Sequence, residues 1–311
     1  MASLFVIGEC MLELKPTSNS NLLKNYAGDT YNSAIYAKRI SPEIDVSYFS
    51  GVGEDNFSQE MIEQCKLEAI DTQFVFASKT AQIGIYAISI DETGERSFSY
   101  WRKGSAATQM MTLLDESVTN YDELPKLDIA YFSGISLAIL SDEERHKLIK
   151  LLTHLKANGT RIAYDPNYRP RMWKDKAEAI YWLEESYKIS DLVFPGLEDH
   201  EDMLGHTTPE EITEYLQQFS TSEQVIKCGS QGVYGYQNHQ QVFHLPFTPA
   251  PVQVDSTAAG DSFAGGYLAG RLSNKSIADS IVQAATVASF VVQHPGAIVE
   301  KTKFSDFLTK I

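Results

Sequence analysis

Asp255-Ser256-Thr257-Ala258-Ala259-Gly260-Asp261-Ser262-Phe263-Ala264-Gly265-Gly266 is the stretch on which the reading of this chain turns. The alternating run Val252-Gln253-Val254 precedes it and an apolar segment of helical period follows, at about 261–272, so a helix N-terminus is expected. Backbone N–H groups at such an end lack intrahelical acceptors, and the helix dipole adds positive potential, which favours an anion such as phosphate. Ala258, Ala259 and Gly260 are small enough to let a phosphate reach the backbone. Asp261 then sets a carboxylate where an alcohol meets that phosphate. An isolated Asp in a first helical turn ordinarily only complements the dipole, and the small neighbours shift the reading towards chemistry.

Strands and helices alternate on the N-terminal side of this loop. Residues 3–8 form an apolar run ending in Gly8-Glu9, residues 31–39 have a helical face, and residues 46–50 are strand-like. The last of these closes in the glycine turn Gly51-Val52-Gly53-Glu54-Asp55, followed by a helix at about 57–68. Beyond residue 126, strands are expected at 129–132, 161–165, 192–194 and 224–228. Helices begin at Ser141 and Thr208 with capping-box patterns to Glu144 and Glu211, and others lie at about 175–188 and 276–293, before a short C-terminal one. This rhythm predicts an α/β fold, a mostly parallel sheet flanked by helices, with residues 1–311 as a single domain.

Residues 82–90 and 96–102 break the rhythm and read as two strands joined by a turn at 91–95. A five-residue loop sets Tyr86 opposite Tyr100 and puts Arg102 on the same face. Such a hairpin is either a ligand-covering lid or a hairpin packed on the core through its tyrosines.

Composition narrows the function classes. A hydrophobic content of 43% and a charged content of 22% are ordinary for a soluble globular chain. A net charge of −15 argues against a nucleic-acid surface and against anionic membranes, while leaving room for a local basic pocket. Cys10, Cys65 and Cys228 are odd in number and lack CxxC spacing, so a reducing, cytoplasmic setting is expected. The N-terminal apolar run lacks a basic region and reads as a strand, not a leader, and no stretch has transmembrane length.

Ligands of open parallel sheets collect at the carboxyl ends of the strands. Gly8-Glu9, Gly51-Val52-Gly53, Gly134, residues 165–171, Gly196, Gly229 and the 255–261 loop are therefore expected along one rim. A helix-terminal anion site beside a carboxylate suits phosphoryl transfer, with Asp261 taking the proton of the attacking hydroxyl. The sequence has no G-x-x-x-x-G-K-[ST], which excludes a P-loop enzyme, and no G-x-G-x-x-G after a strand, which weakens a dinucleotide oxidoreductase.

The 255–261 stretch followed by Gly265-Gly266 resembles the second signature of the PfkB, or ribokinase-like, carbohydrate kinases. Ala27-Gly28-Asp29-Thr30-Tyr31-Asn32-Ser33-Ala34, with Gly51-Val52-Gly53-Glu54-Asp55 downstream, is similar to the first; Thr30 stands where many members have Gly, Ala or Pro. The resemblance implies an ATP- and Mg²⁺-dependent sugar kinase with a Rossmann-like sheet and a small β-sheet lid from about 10–30 and 80–105. It makes Asp261 the catalytic base and Ala258, Ala259 and Gly260 the anion hole, and it assigns Lys227, Gly229, Ser230, Gly232 and Gly260 to ATP. The family's Asn-x-x-Glu element falls on Gly196-Leu197-Glu198-Asp199, which leaves Asp199 as the Mg²⁺ candidate. Residues 286–296 would line the adenine side, with a K⁺ site near Asp255, and paired lids would make a homodimer.

Within the family, Gly28-Asp29-Thr30-Tyr31-Asn32, Gly84-Ile85-Tyr86, Tyr100-Trp101-Arg102 and the run from Asp165 through Arg169 to Trp173 are similar to the 2-keto-3-deoxygluconate kinases. That likeness implies a substrate set of Gly28, Asp29, Asn32, Tyr86, Tyr100, Arg102, Ile135 and Arg169, and phosphorylation of the sugar acid's 6-hydroxyl. Charge supports it, since guanidinium groups bind carboxylates in paired, charge-assisted hydrogen bonds. Arg171 shares the loop with Arg169 and reads as the surface residue of the two. The rivals are a kinase of a neutral sugar, as a fructokinase or ribokinase would be, a silent sugar-sensing module, and, last, a dehydrogenase.

Overall fold

The first strand shows how the sheet is built. In β1 (Ser3–Ile7), Leu4 and Val6 pack into one core and Phe5 and Ile7 into another, so both faces are covered and the strand reads as a continuous apolar run. The structure, a computed structural model, describes residues 1–17, 21–90, 96–118 and 120–310; the turn expected at 91–95 lies outside them.

From β1 the chain continues through β2 (Met11–Pro16), β3 (Leu22–Ala27), α1 (Asp29–Ile40), β4 (Asp45–Gly53), α2 (Asn56–Leu67) and β5 (Val75–Ser78). Next come β6 (Ile85–Ile90), β7 (Arg96–Trp101), α3 (Met110–Ser117), β8 (Ile129–Ser133), α4 (Gly134–Ala138), α5 (Asp142–Ala157) and β9 (Arg161–Asp165). The rest is α6 (Lys176–Ile189), β10 (Leu192–Val193), α7 (Leu197–Leu204), α8 (Pro209–Leu216), β11 (Glu223–Lys227), β12 (Val233–Gln237), β13 (Gln240–Leu245), α9 (Ala259–Leu272), α10 (Ile277–Val291) and α11 (Lys301–Leu308).

Among the described residues, nine strands form the main sheet in the order β13-β12-β11-β10-β9-β8-β1-β4-β5. It is parallel from β5 to β11, and β12 and β13 add an antiparallel edge. Helices α1, α2, α9 and α10 bury their apolar faces on one side, and α3, α5, α6, α7 and α8 on the other. This is the mostly parallel, helix-flanked sheet expected from the alternation.

A separate four-stranded sheet, β3-β2-β6-β7, is built from the segments expected to form the lid. Tyr86 pairs with Tyr100, the register that a five-residue turn implies. The hairpin is half of that sheet; the other half, β2 and β3, enters from the segment just after β1 and joins it through a parallel β2–β6 pairing.

Two local expectations are revised. Gly51 and Gly53 lie inside β4, where a Cβ would come within 2.2 Å of the Ala106 carbonyl and 2.9 Å of the Ala81 carbonyl respectively. They let the segments at the foot of the lid cross the strand and do not form a turn. Ser141 caps α5 by accepting from Glu144 N, but the Glu144 carboxylate accepts from Met111 N and Thr112 instead of returning the bond. At Thr208 and Glu211 both halves of the box are present.

Candidate active site

Helix α9 begins without a side-chain cap. Its N-cap, Ala258, adopts φ 61° and ψ 16°, a left-handed conformation that costs a residue with a Cβ about 1–2 kcal/mol. Asp255 offsets this by gathering the turn: its carboxylate accepts from Thr257 N at 3.1 Å and from Gly296 N at 2.6 Å. The N–H groups of Gly260 and Asp261 have no acceptor among the described residues, and a Cβ at Gly260 would meet nothing within 4 Å. Free donors at a positive helix end, facing open space, make a cradle for an anion.

Helix α1 holds Asp261 in place. Asn32 Nδ2 donates to Asp261 Oδ2 at 2.8 Å, and Ser33 Oγ donates to its carbonyl at 2.9 Å. Gly265 allows the two helices this approach, since a Cβ there would lie 2.4 Å from the Ser33 carbonyl. Burial raises the pKa of Asp261, with Asp29 and Asp165 adding to the rise and Asn32 and Arg169 opposing it. A carboxylate that holds its proton more tightly than usual is a stronger base when ionised.

A polar chain links this carboxylate's surroundings to β11. Asn167, at φ 37°, donates from Nδ2 to Asp29 at 2.9 Å and from its backbone N to Asp165 Oδ1 at 3.2 Å. Lys227 Nζ donates to Asp165 Oδ2 at 2.7 Å. Lys227 is thus held by a buried partner, and its stem borders the next cavity.

Two cavities meet at the α9 loop. One, about 440 Å³, is lined by Asp261 and by all the expected substrate residues, Gly28, Asp29, Asn32, Tyr86, Tyr100, Arg102, Ile135 and Arg169. The other, about 850 Å³, is bordered by Lys227, Gly229 and Gly232 and by α10 residues including Thr286 and Ser289. Both sizes suit small ligands. Ser256, Ala259 and Gly260 line both, so the anion cradle is the shared wall. A hollow of about 1050 Å³ between β3, α2 and residues 294–300 contains none of the cradle.

Some expected residues are elsewhere. Ser230 is exposed and lines neither cavity, because the tight turn at Gly229–Gln231 points it outward; Gly51, Val52 and Gly53 are equally absent from the walls. Residues 294–296 border the 1050 Å³ hollow and not the cavity beside α10. Sequence reasoning missed Asn167 as a link to Asp29, and it missed the outer wall of the larger cavity, residues 246–251 with Phe247, and Phe307 from α11. A proline-rich segment without periodicity carries no local signal, although Pro246, Pro249 and Pro251 mark it as extended.

The two arginines differ in state. Arg102, expected as a free carboxylate ligand, is already paired: Nε and Nη2 reach Glu9 Oε2 at 2.8 and 2.5 Å. Arg169 is exposed, and its Nη1 donates to the Tyr168 carbonyl at 2.8 Å. Arg171, also exposed, lines neither cavity. Tyr86 is buried with its hydroxyl donated to Glu13, so it offers the cavity its ring, 5.9 Å from the ring of Tyr100. One tyrosine of the hairpin is therefore packed, as in the core-packing reading, and the other is exposed beside the cavity.

Asp199 is the residue to test for Mg²⁺. Burial lifts its pKa to about 6, and the positive charges of Lys227 and Arg169 only partly offset that and the repulsion from Asp165. Such an under-compensated carboxylate fits a hard cation that binds through one or two carboxylates, water and substrate phosphates. Gly196 fits too: a Cβ there would lie 3.1 Å from Asp199 Oδ2, so the shorter acid and the missing side chain complement each other. No group of three or more metal-binding side chains occurs among the described residues. No helix of the described residues is long and apolar enough to cross a membrane.

The model of the pfkB family of carbohydrate kinases matches residues 1–303. A 2-dehydro-3-deoxygluconokinase of Haemophilus influenzae is 36% identical over 309 residues, 98% of either chain. That of Escherichia coli K12 is 35% identical over 300 residues, covering 95% of this chain and 96% of its own. Among solved structures, a PfkB protein from Polaromonas superposes with a TM-score of 0.84 at 23% identity, over 100% of this chain and 99% of its own. A ribokinase II from Escherichia coli described as a complex with ATP and Mg²⁺ gives 0.83 at 22% identity, with both chains fully covered. With the family model spanning nearly the whole chain and relatives above one-third identity along its length, the chain belongs to the PfkB family of carbohydrate kinases and is an ATP-dependent kinase.

Proposed function

We propose that this kinase transfers the γ-phosphoryl group of ATP to the 6-hydroxyl of 2-dehydro-3-deoxy-D-gluconate. The observation that carries the reading is the presence of Arg102 and Arg169 in the same cavity wall as Asp261. A sugar acid gives those guanidinium groups a carboxylate to bind while its far hydroxyl meets the base. The names of the Haemophilus influenzae and Escherichia coli relatives support the same substrate.

In this reading Asp261 takes the hydroxyl proton as the oxygen attacks, and the Gly260 and Asp261 N–H groups receive the charge on the transferred phosphoryl oxygens. Lys227, fixed by Asp165, faces the nucleotide side. Mg²⁺, when bound, neutralises phosphate charge, and Asp199 is the side chain that would hold it. The K⁺ dependence implied for Asp255 is tested by exchanging K⁺ for Na⁺ in the assay; equal rates count against it. Exposed Leu22, Leu23, Phe98, Tyr100 and Trp101 on the lid support a second copy as partner, and light scattering that returns a monomer removes it.

The deciding experiment is an ATP-coupled assay with 2-dehydro-3-deoxy-D-gluconate, D-gluconate, D-fructose and D-ribose side by side. The sugar acid is expected to have the highest kcat/KM, and a neutral sugar that exceeds it overturns the proposal. One observation favours a neutral substrate: Glu9 already neutralises Arg102, which leaves Arg169 as the cavity's unpaired guanidinium.

A further inference from the structure

Glu9 sits at the carboxyl end of β1 and is only 2% exposed. Its surroundings are the roots of the lid. Arg102 follows β7, Ser105 comes three residues later, and Gly84 precedes β6, where a Cβ would come within 2.7 Å of Glu9 Oε1. Ser105 Oγ donates to Oε1 at 2.5 Å, while Oε2 takes both Nε and Nη2 of Arg102. Oε2 of this buried carboxylate therefore holds one side of one guanidinium, while the Ser105 bond to Oε1 fixes the carboxylate itself.

The other side is left for a ligand. Arg102 Nη1 has only Met172 Sδ, at 3.9 Å, among the described residues, and a thioether is a weak acceptor. Arg102 and Glu9 both line the cavity that holds Asp261. A buried carboxylate is costly unless it is paired and hydrogen-bonded, and breaking such a pair is more costly still. The main sheet thus fixes the angle at which a lid residue faces the substrate cavity.

We propose that Glu9 is a positioning residue for substrate choice: it holds the Nε and Nη2 edge of Arg102 so that Nη1 is the donor presented to the carboxylate of a sugar acid. This rests on the sugar-acid reading above. The Glu9–Arg102 pair carries no net charge, so Arg102 contributes a directed hydrogen bond more than a positive field. The two roles predict opposite effects of Glu9→Gln. If Glu9 only diluted positive charge, its neutralisation would tighten binding of the anionic sugar; if it aims Arg102, the same change weakens it.

The test is steady-state kinetics of Glu9→Gln with 2-dehydro-3-deoxy-D-gluconate, and with D-fructose as substrate or competitor. The expected result is a KM for the sugar acid raised about tenfold, as for loss of one charge-assisted hydrogen bond, with a much smaller change in KM for ATP and in the constant for fructose. An unchanged or lowered KM for the acid overturns the proposal, and so does an equal rise for both sugars, which marks general loosening of the lid. Adding Glu9→Gln to Arg102→Ala is expected to cost less than about twofold, because nothing remains to position; a cost equal to that in the wild type overturns it. Should Glu9→Gln not fold, Ser105→Ala frees Oε1 and keeps both charges: a raised KM for the acid supports the proposal and an unchanged one overturns it. If the double variant itself binds the acid as well as wild type, the sugar-acid clamp fails. If it binds the acid poorly while Glu9→Gln binds it normally, the positioning role alone fails.

Discussion

Replacing Asp261 by Asn separates catalysis from stability in a single variant. Asn keeps the size and an acceptor for Asn32 Nδ2 but removes the proton-accepting carboxylate. Loss of a general base lowers kcat by roughly 10²–10⁴, or about 3–5 kcal/mol of barrier. Stability moves the other way. The folded-state pKa of Asp261 is raised by burial and by Asp29 and Asp165, so its stabilising contribution is present at low pH and lost as pH rises through that pKa. The side chain is half-buried beside an open cavity, so solvent screening reduces the effect to about 1 kcal/mol, or about 1–2 °C in Tm for a chain of this size. The assays are coupled ADP release and thermal melting, each near pH 5 and near pH 8. The variant is expected to be nearly inactive at both, with its Tm gaining on the wild type towards the higher pH. Activity within about threefold of wild type would refute Asp261 as the base, and a Tm difference independent of pH would refute the electrostatic argument.

Gly260→Ala places a methyl group in the open space of the cradle without a backbone clash, so kcat/KM is expected to fall at least about tenfold while the helix gains up to about 1 kcal/mol; calorimetry beside kinetics checks both signs. Lys227→Met leaves the buried Asp165 carboxylate without its ion-pair partner, and a loss of about 2 kcal/mol should appear as a lower urea midpoint, together with a raised KM for ATP. Asp199→Asn should raise the Mg²⁺ concentration for half-maximal rate several-fold. Because Asp199 takes up its proton near pH 6, the wild-type Mg²⁺ requirement should climb as pH falls through that value while the variant's stays flat; parallel curves would remove Asp199 from the metal site.

The phosphate half of the site was legible because its information is local. Small residues, the helix start and the acid of the 255–261 stretch are consecutive, and the fold places them as their spacing implies. The parallel sheet was readable for the same reason, from apolar runs such as residues 3–8 that are too short and too continuous for an amphipathic helix. The aromatic hairpin showed its register through alternation and the length of its turn, while β2 and β3 left no equivalent mark in the composition and periodicity that precede the resemblance. Ser230 was misplaced because a motif names positions in a turn without the φ and ψ angles that aim each side chain.

What the sequence determined by itself was the kind of chemistry, through a helix-terminal cradle with a carboxylate in its first turn. What only the tertiary structure decided was the state of the groups around it. Asn32 reaches Asp261 across 229 positions, Lys227 reaches Asp165 across 62, and Glu9 claims Arg102 across 93. Charge, burial and the direction of a guanidinium arise from such long-range contacts, which no local spacing encodes, because they depend on which strand ends the sheet brings side by side.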